Sequence, residues 1–255
     1  MALYGIKDCA NLSLFDLATG KPVLFSDYAN VSTNEWTSER VYANSKGTRA
    51  IAWDYDKQGT LQVEMEVFDL KWLAITAGSD IVEGEADVAK REKLNVASNK
   101  LTVSGSPVEG SIQVVKLKAD EIEHDGEALT EVPFSEGGAV TAGQFMANGN
   151  EITLDASTED GEAYAVYYVV KDSGARTITI SADKFPKAFR VVADALIREK
   201  ESGKDEFIQI EYPNARPQGN FTVTMSATEA TALSVTFDLF PNKDKAIAEY
   251  KIIGE

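Results

Sequence analysis

Three stretches of this chain alternate apolar and polar residues with a period of two, which commits each to a strand with one buried face. In residues 60–68, Leu61, Val63, Met65 and Val67 oppose Gln62, Glu64 and Glu66. In 207–212, Ile208, Ile210 and Tyr212 oppose Phe207, Gln209 and Glu211. The third stretch predicts a hairpin: Phe221, Val223 and Met225 alternate with Thr222, Thr224 and Ser226, and after a turn at 227–231, Leu233, Val235, Phe237 and Leu239 alternate with Ser234, Thr236 and Asp238. The polar faces carry acids, amides and hydroxyls but no Lys or Arg. A solvent-facing sheet ordinarily mixes charge signs, with Lys common at its edges. Here four acids, Glu64, Glu66, Glu211 and Asp238, are expected to face no base.

The 255 residues, 44% of them hydrophobic, suffice for a buried core in one large or two smaller domains. A net charge of −16 opposes any surface that grips nucleic acid through its phosphates. Cys9 is the sole cysteine, so an intrachain disulfide is excluded. No apolar run reaches the length of a membrane span, and residues 1–7 lack the basic and apolar regions of an export signal, so folding in the cytoplasm is expected. The acidity is uneven: residues 1–79 carry −3, 80–183 carry −12 and 184–255 carry −1. Such a shift makes the two ends of 80–183 candidate domain boundaries.

Further elements follow from local pattern. Strands are expected at 11–17 and 23–28 about a turn at Thr19-Gly20-Lys21-Pro22, then a polar loop at 32–47, a strand at 48–55 and a short helix at 69–74 capped by Asp69. Short strand-like runs in 80–183 suggest a small β-sandwich. Phe185, Phe189, Val192, Leu196 and Ile197 fall at helical spacing, predicting an amphipathic helix over 184–200. A Pro-rich loop is expected at 212–217, and 241–255 reads as an edge strand or arm.

Catalytic constellations are poor. A Ser-His-Asp or Cys-His mechanism would have to pass through His124, the sole histidine, which sits in an acidic turn-like segment. Residues 155–162 resemble a calcium loop in composition but not in spacing, and no phosphate-binding GxxxxGK loop occurs. No catalytic, cofactor-binding or metal-binding residue is assigned, no cofactor is expected, and a protein that is not an enzyme is the reading.

The order of elements resembles the tail tube (major tail) proteins of long-tailed bacteriophages, a fold shared with the tube proteins of contractile injection systems. The residues that carry the resemblance are 53–78, where a strand leads through Phe68-Asp69-Leu70-Lys71-Trp72-Leu73-Ala74 into a short helix, and 220–241 (NFTVTMSATEATALSVTFDLFP). It implies a mainly β, tail-tube-like sandwich or barrel with a short helix and the amphipathic helix, built from 1–79 and 184–255 as one discontinuous domain; 80–183 is then an inserted acidic β-rich domain, a departure from the simplest tube proteins. It also implies a structural virion protein whose copies form rings, usually sixfold, stacked into a tube through which DNA passes without specific binding. Gln62, Glu64, Glu66, Gln209, Glu211, Thr222, Thr224, Ser226, Ser234, Thr236 and Asp238 would line the channel. Trp36, Arg40 and Tyr42 would anchor contacts between rings. The implied partners are further copies, other tail proteins such as tape measure, terminator and a sheath, and DNA in transit; no membrane is involved. The implied location is the virion tail, assembled in host cytoplasm. The alternatives are another virion β-protein for decoration or adhesion and, third, an enzyme acting on carbohydrate.

Overall fold

The computed structural model describes residues 3–6, 9–67, 69–118, 122–134, 139–223, 227–228 and 232–253. The chain divides into two compact units, one formed by Met1–Ile81 with Ile178–Glu255 and the other by Val82–Thr177.

The first unit opens with strands β1 (Tyr4–Ile6), β2 (Asn11–Asp16), β3 (Pro22–Ser26), β4 (Val31–Ser45) and β5 (Thr48–Met65), followed by helix α1 (Leu70–Ala77). The second unit is built on β6 (Ile81–Asn95), β7 (Lys100–Thr102), β8 (Gln113–Lys116), β9 (Thr130–Glu131), β10 (Gln144–Asn148), β11 (Glu151–Leu154) and β12 (Ala163–Ile178). The chain then completes the first unit with β13 (Phe189–Glu199), β14 (Asp205–Pro217), β15 (Leu233–Leu239) and β16 (Glu249–Ile253).

The first unit is one open nine-stranded sheet in the order β3-β2-β13-β14-β15-β5-β4, with β1 added to β13 and β16 added to β14. Period-two alternation sets its core. Leu14, Val191 and Tyr212 form one cross-strand row, and Leu61 with Phe237 and Val63 with Val235 form others, all buried. Trp72 of α1 meets Phe237 edge to face at 6.3 Å and closes this core. The helix starts where the Asp69 carboxylate accepts the Lys71 N–H at 2.9 Å and stops at Gly78, whose φ of +66° is left-handed.

Four sequence expectations are corrected. The amphipathic helix over 184–200 is strand β13: Phe189, Val191, Ala193, Ala195 and Ile197 are buried on one face. Val192 and Leu196 gave the helical signal because the outer face also carries apolar groups, and ladders with β2 and β14 decide the matter. The loop at 32–47 is β4, which pairs along its length with β5 and turns at Lys46-Gly47, both at positive φ. Residues 48–55 and 60–65 form one long strand interrupted by a register shift near Asp56. The Pro-rich 212–217 belongs to β14, with Pro213 at a register shift against β13.

In the second unit a four-stranded sheet, β7-β11-β10-β9, shares a core with a three-stranded one, β6-β12-β8. Leu101, Phe145 and Ile152 of the former pack with Val114, Val166 and Tyr168 of the latter. The Glu92 carboxylate accepts hydrogen bonds from the Ser104 N–H at 3.0 Å and from the Tyr168 hydroxyl.

Candidate functional site

On the face of the large sheet opposite its core, β4, β5 and β15 bring three rows into register. Val31, Glu64 and Ser234 form one, Thr33, Gln62 and Thr236 the next, and Glu35, Thr60 and Asp238 the third. None of these nine residues is a base. Gln62 Nε2 donates to Glu64 Oε1 at 3.0 Å and to Ser234 Oγ at 3.1 Å, and Gln218 donates to Asp238 at 2.8 Å. Arg216 pairs in register with Asp238, but its Nε donates to the Pro186 carbonyl at 3.1 Å. Sequence reasoning placed Gln62, Glu64, Ser234, Thr236 and Asp238 on a polar face, did not name Val31 or Thr60, and missed Thr33 and Glu35 because it put them in a loop.

The remaining expected face residues lie elsewhere. Glu66 follows the end of β5, and its N–H donates to Asn30 Oδ1 at 3.0 Å. Thr222 is outside any strand, beside the isolated bridge between Val223 and Leu233. Thr224 and Ser226 lie outside the described residues, as do Met225 and 229–231 of the expected turn. Gln209 and Glu211 sit on the same sheet face, but on the far side of β14 among charged neighbours. Gln209 donates to Asp194 at 3.1 Å. Glu211 accepts from Lys251 Nζ at 2.7 Å and from Arg190 Nη1 at 3.1 Å, so the expectation that all four acids face no base fails here. Lys251 foremost, and then Arg190, holds the Glu211 carboxyl below its ordinary range. These bases come from β16 and β13, strands whose adjacency no local pattern encodes. Next to them Leu196, Phe207 and Ile253 form an apolar row on β13, β14 and β16.

The distal part of the β4–β5 hairpin is a two-stranded arm. Trp36, Arg40 and Tyr42 alternate onto one side of β4, Arg40 and Tyr42 held within the arm and Trp36 at its foot. Arg40 forms an ion pair with Asp54, and the Arg49 guanidinium stands 4.0 Å over the Tyr42 ring. Trp36 covers Gly59 and packs against the core. The other side of the arm was missed: Val41 pairs with Trp53, Ala43 with Ile51 and Glu39 with Tyr55. Val41, Ile51, Trp53 and Tyr55 are each more than half exposed.

Among the described residues no group of three or more His, Cys, Asp or Glu is arranged to hold a metal ion. His124 Nε2 lies 2.9 Å from the Tyr167 hydroxyl at an exposed site.

The chain is 25% identical over 246 residues to the tail tube protein of Bacillus phage SPR, an alignment covering 94% of this chain and 84% of that one. A family model described as the YomU/Tube protein family matches residues 4–253. With nearly every residue inside that match, the chain belongs to the YomU/Tube protein family.

Proposed function

We propose that this protein is the structural subunit of a phage tail tube: copies join into rings, usually sixfold in proteins of this kind, and rings stack into a conduit for DNA. The observation that carries the reading is the base-free face of β4, β5 and β15, with Glu35, Glu64 and Asp238 set among Thr, Ser and Gln. Lining a channel, it repels phosphates within a Debye length of about 10 Å and presents no cation to which a polyanion could stick. The arm supplies contacts between copies. A two-stranded ribbon is marginal alone in water, and one with an exposed apolar side gains by docking. The open sheet ends at β3 and β4 likewise gain from a neighbour's strand. The role is structural, not enzymatic, and is carried out in the virion tail after assembly in the host cytoplasm. Its partners are further copies, tail proteins such as the tape measure, the terminator and a sheath, and DNA in passage.

Negative-stain microscopy and sizing across a concentration series, with and without initiator components, test this reading. Rings or stacked tubes are expected. A chain that stays monomeric under every such condition refutes it.

A further inference from the structure

At the foot of the arm, a cleft of about 430 Å³ opens between Trp36, Lys57, Ile247, Ala248, Tyr250 and Lys245. Its walls are apolar and well fixed. Trp36 packs against the large core together with Ile247 and Ala248, and the Tyr250 hydroxyl approaches Asn34 Nδ2 at 3.5 Å. Its two charges are both positive. Lys57 follows Asp56, which has a φ of +50°, and carries its ammonium 5.9 Å from the Trp36 ring centroid. Lys245 is held at a φ of +62° within a turn in which Asn242 Oδ1 accepts the N–H groups of Asp244 and Ala246, each at 2.9 Å. Among the described residues neither ammonium is in an ion pair, although the chain carries 41 acids against 25 bases.

Here two cations without carboxylate partners are set together into an aromatic and aliphatic wall, on a chain whose net charge is −16. Approaching copies repel one another through their net charge. Contact is therefore most favourable where a cationic site of one copy meets a carboxylate of the other, as complementary charge also fixes register. The wall suits the carbon stem beside that carboxylate, and Trp36 offers a ring face of the kind enriched at interface anchors.

We infer that this cleft receives a carboxylate-bearing segment of a second copy of the chain, paired with Lys57 and Lys245. The inference rests on the self-assembly proposed above and adds which surface is met and by what chemistry. A carbodiimide, which joins ammonium to carboxylate without a spacer, tests it on assembled protein mixed from ordinary and ¹⁵N-labelled chains. Isotope-mixed cross-links from Lys57 or Lys245 to Asp or Glu peptides are expected. The double variant K57E/K245E should need at least about tenfold more protein to assemble, while K57R/K245R, which keeps both charges, assembles like the wild type. Wild-type protein that never assembles overturns the tube reading and this inference together. Assembly without such cross-links, or K57E/K245E assembling at the wild-type concentration, overturns this inference alone.

Discussion

Trp36 and Gly59 are register partners on β4 and β5, and the indole lies so closely across the glycine that a Cβ added there would stand 2.5 Å from Trp36 Cζ3. Glycine at this point lets a large ring cover the strand and form one wall of the cleft below the arm. Replacing Gly59 with Ala forces the ring away, an overpacking that costs about 1–3 kcal/mol. Urea unfolding should register that loss, and indole fluorescence should report a more solvated Trp36. Unchanged stability would mean that the ring moves freely.

Gly78 ends α1 in the left-handed region, and a Cβ there would meet the Phe185 carbonyl carbon at 2.3 Å. Backbone cannot swing aside as a side chain can. Gly78→Ala therefore combines a conformational penalty with a main-chain clash, and should lower stability by at least about 2 kcal/mol. Thermal melting of the variant beside Gly59→Ala would rank the two, with Gly78→Ala the more damaging.

Glu211 couples β14 to β16 and β13 through Lys251 and Arg190. Its carboxyl titrates lower in the folded chain than in the unfolded one, so the contribution is whole above the unfolded carboxylate range near pH 4.3 and fades as pH falls through the lower folded value. Lys251, raised by Glu211 and then Glu249, sets the opposite limit: its contribution is lost as pH rises through its elevated folded value. Glu211→Gln should cost about 1 kcal/mol or less at neutral pH, since the pair is partly solvated, and should flatten the acid limb of the stability curve. Parallel acid limbs for wild type and variant would exclude the coupling.

If the nine-residue face lines the channel as proposed, folding and delivery can be separated there. Glu35 and Glu64 are exposed strand positions, so Glu35→Lys with Glu64→Lys should change stability by no more than about 1 kcal/mol. Repeated in every subunit, the new cations would hold passing phosphates at many points, and multiplicity turns a weak contact into arrest. Particles with the double variant should form tails of normal length yet deliver DNA poorly. Normal infectivity from a tube shown to carry lysines in its channel would exclude the lining role.

Much of the sheet was legible because β5, β14 and β15 bury one face and wet the other, so composition alternates with the pleat. Helix α1 was legible because Asp69 caps it. Strand β13 was not, since Val192 and Leu196 give its outer face an apolar content that mimics helical spacing. Strand β4 was missed because most of its residues are polar on both sides, although Lys46-Gly47 was the turn signal that could have revealed the hairpin. The ion pairs of Glu211 were illegible for another reason: Arg190 and Lys251 meet it only through the order of strands in the sheet.

Residues 82–177 are contiguous and enclose their own core, while the chain leaves and re-enters them along β6 and β12, neighbours in one sheet. Replacing this segment with a short Gly/Ser linker should leave the nine-stranded sheet cooperative in unfolding, and the excised segment should fold alone. Loss of the sheet's cooperative transition would show that the segment is part of its fold.

The pairing of β2 with β13 and of β5 with β15 also imposes a timetable on synthesis. At ribosomal rates of about 5–20 residues per second, β2 and β5 emerge seconds before the strands that cover their flanks, while the contiguous segment between them has all it needs to fold. The second unit can thus be complete while the nine-stranded sheet still awaits β13 to β15, so the part of the fold that closes last is the one whose strands lie furthest apart in the sequence.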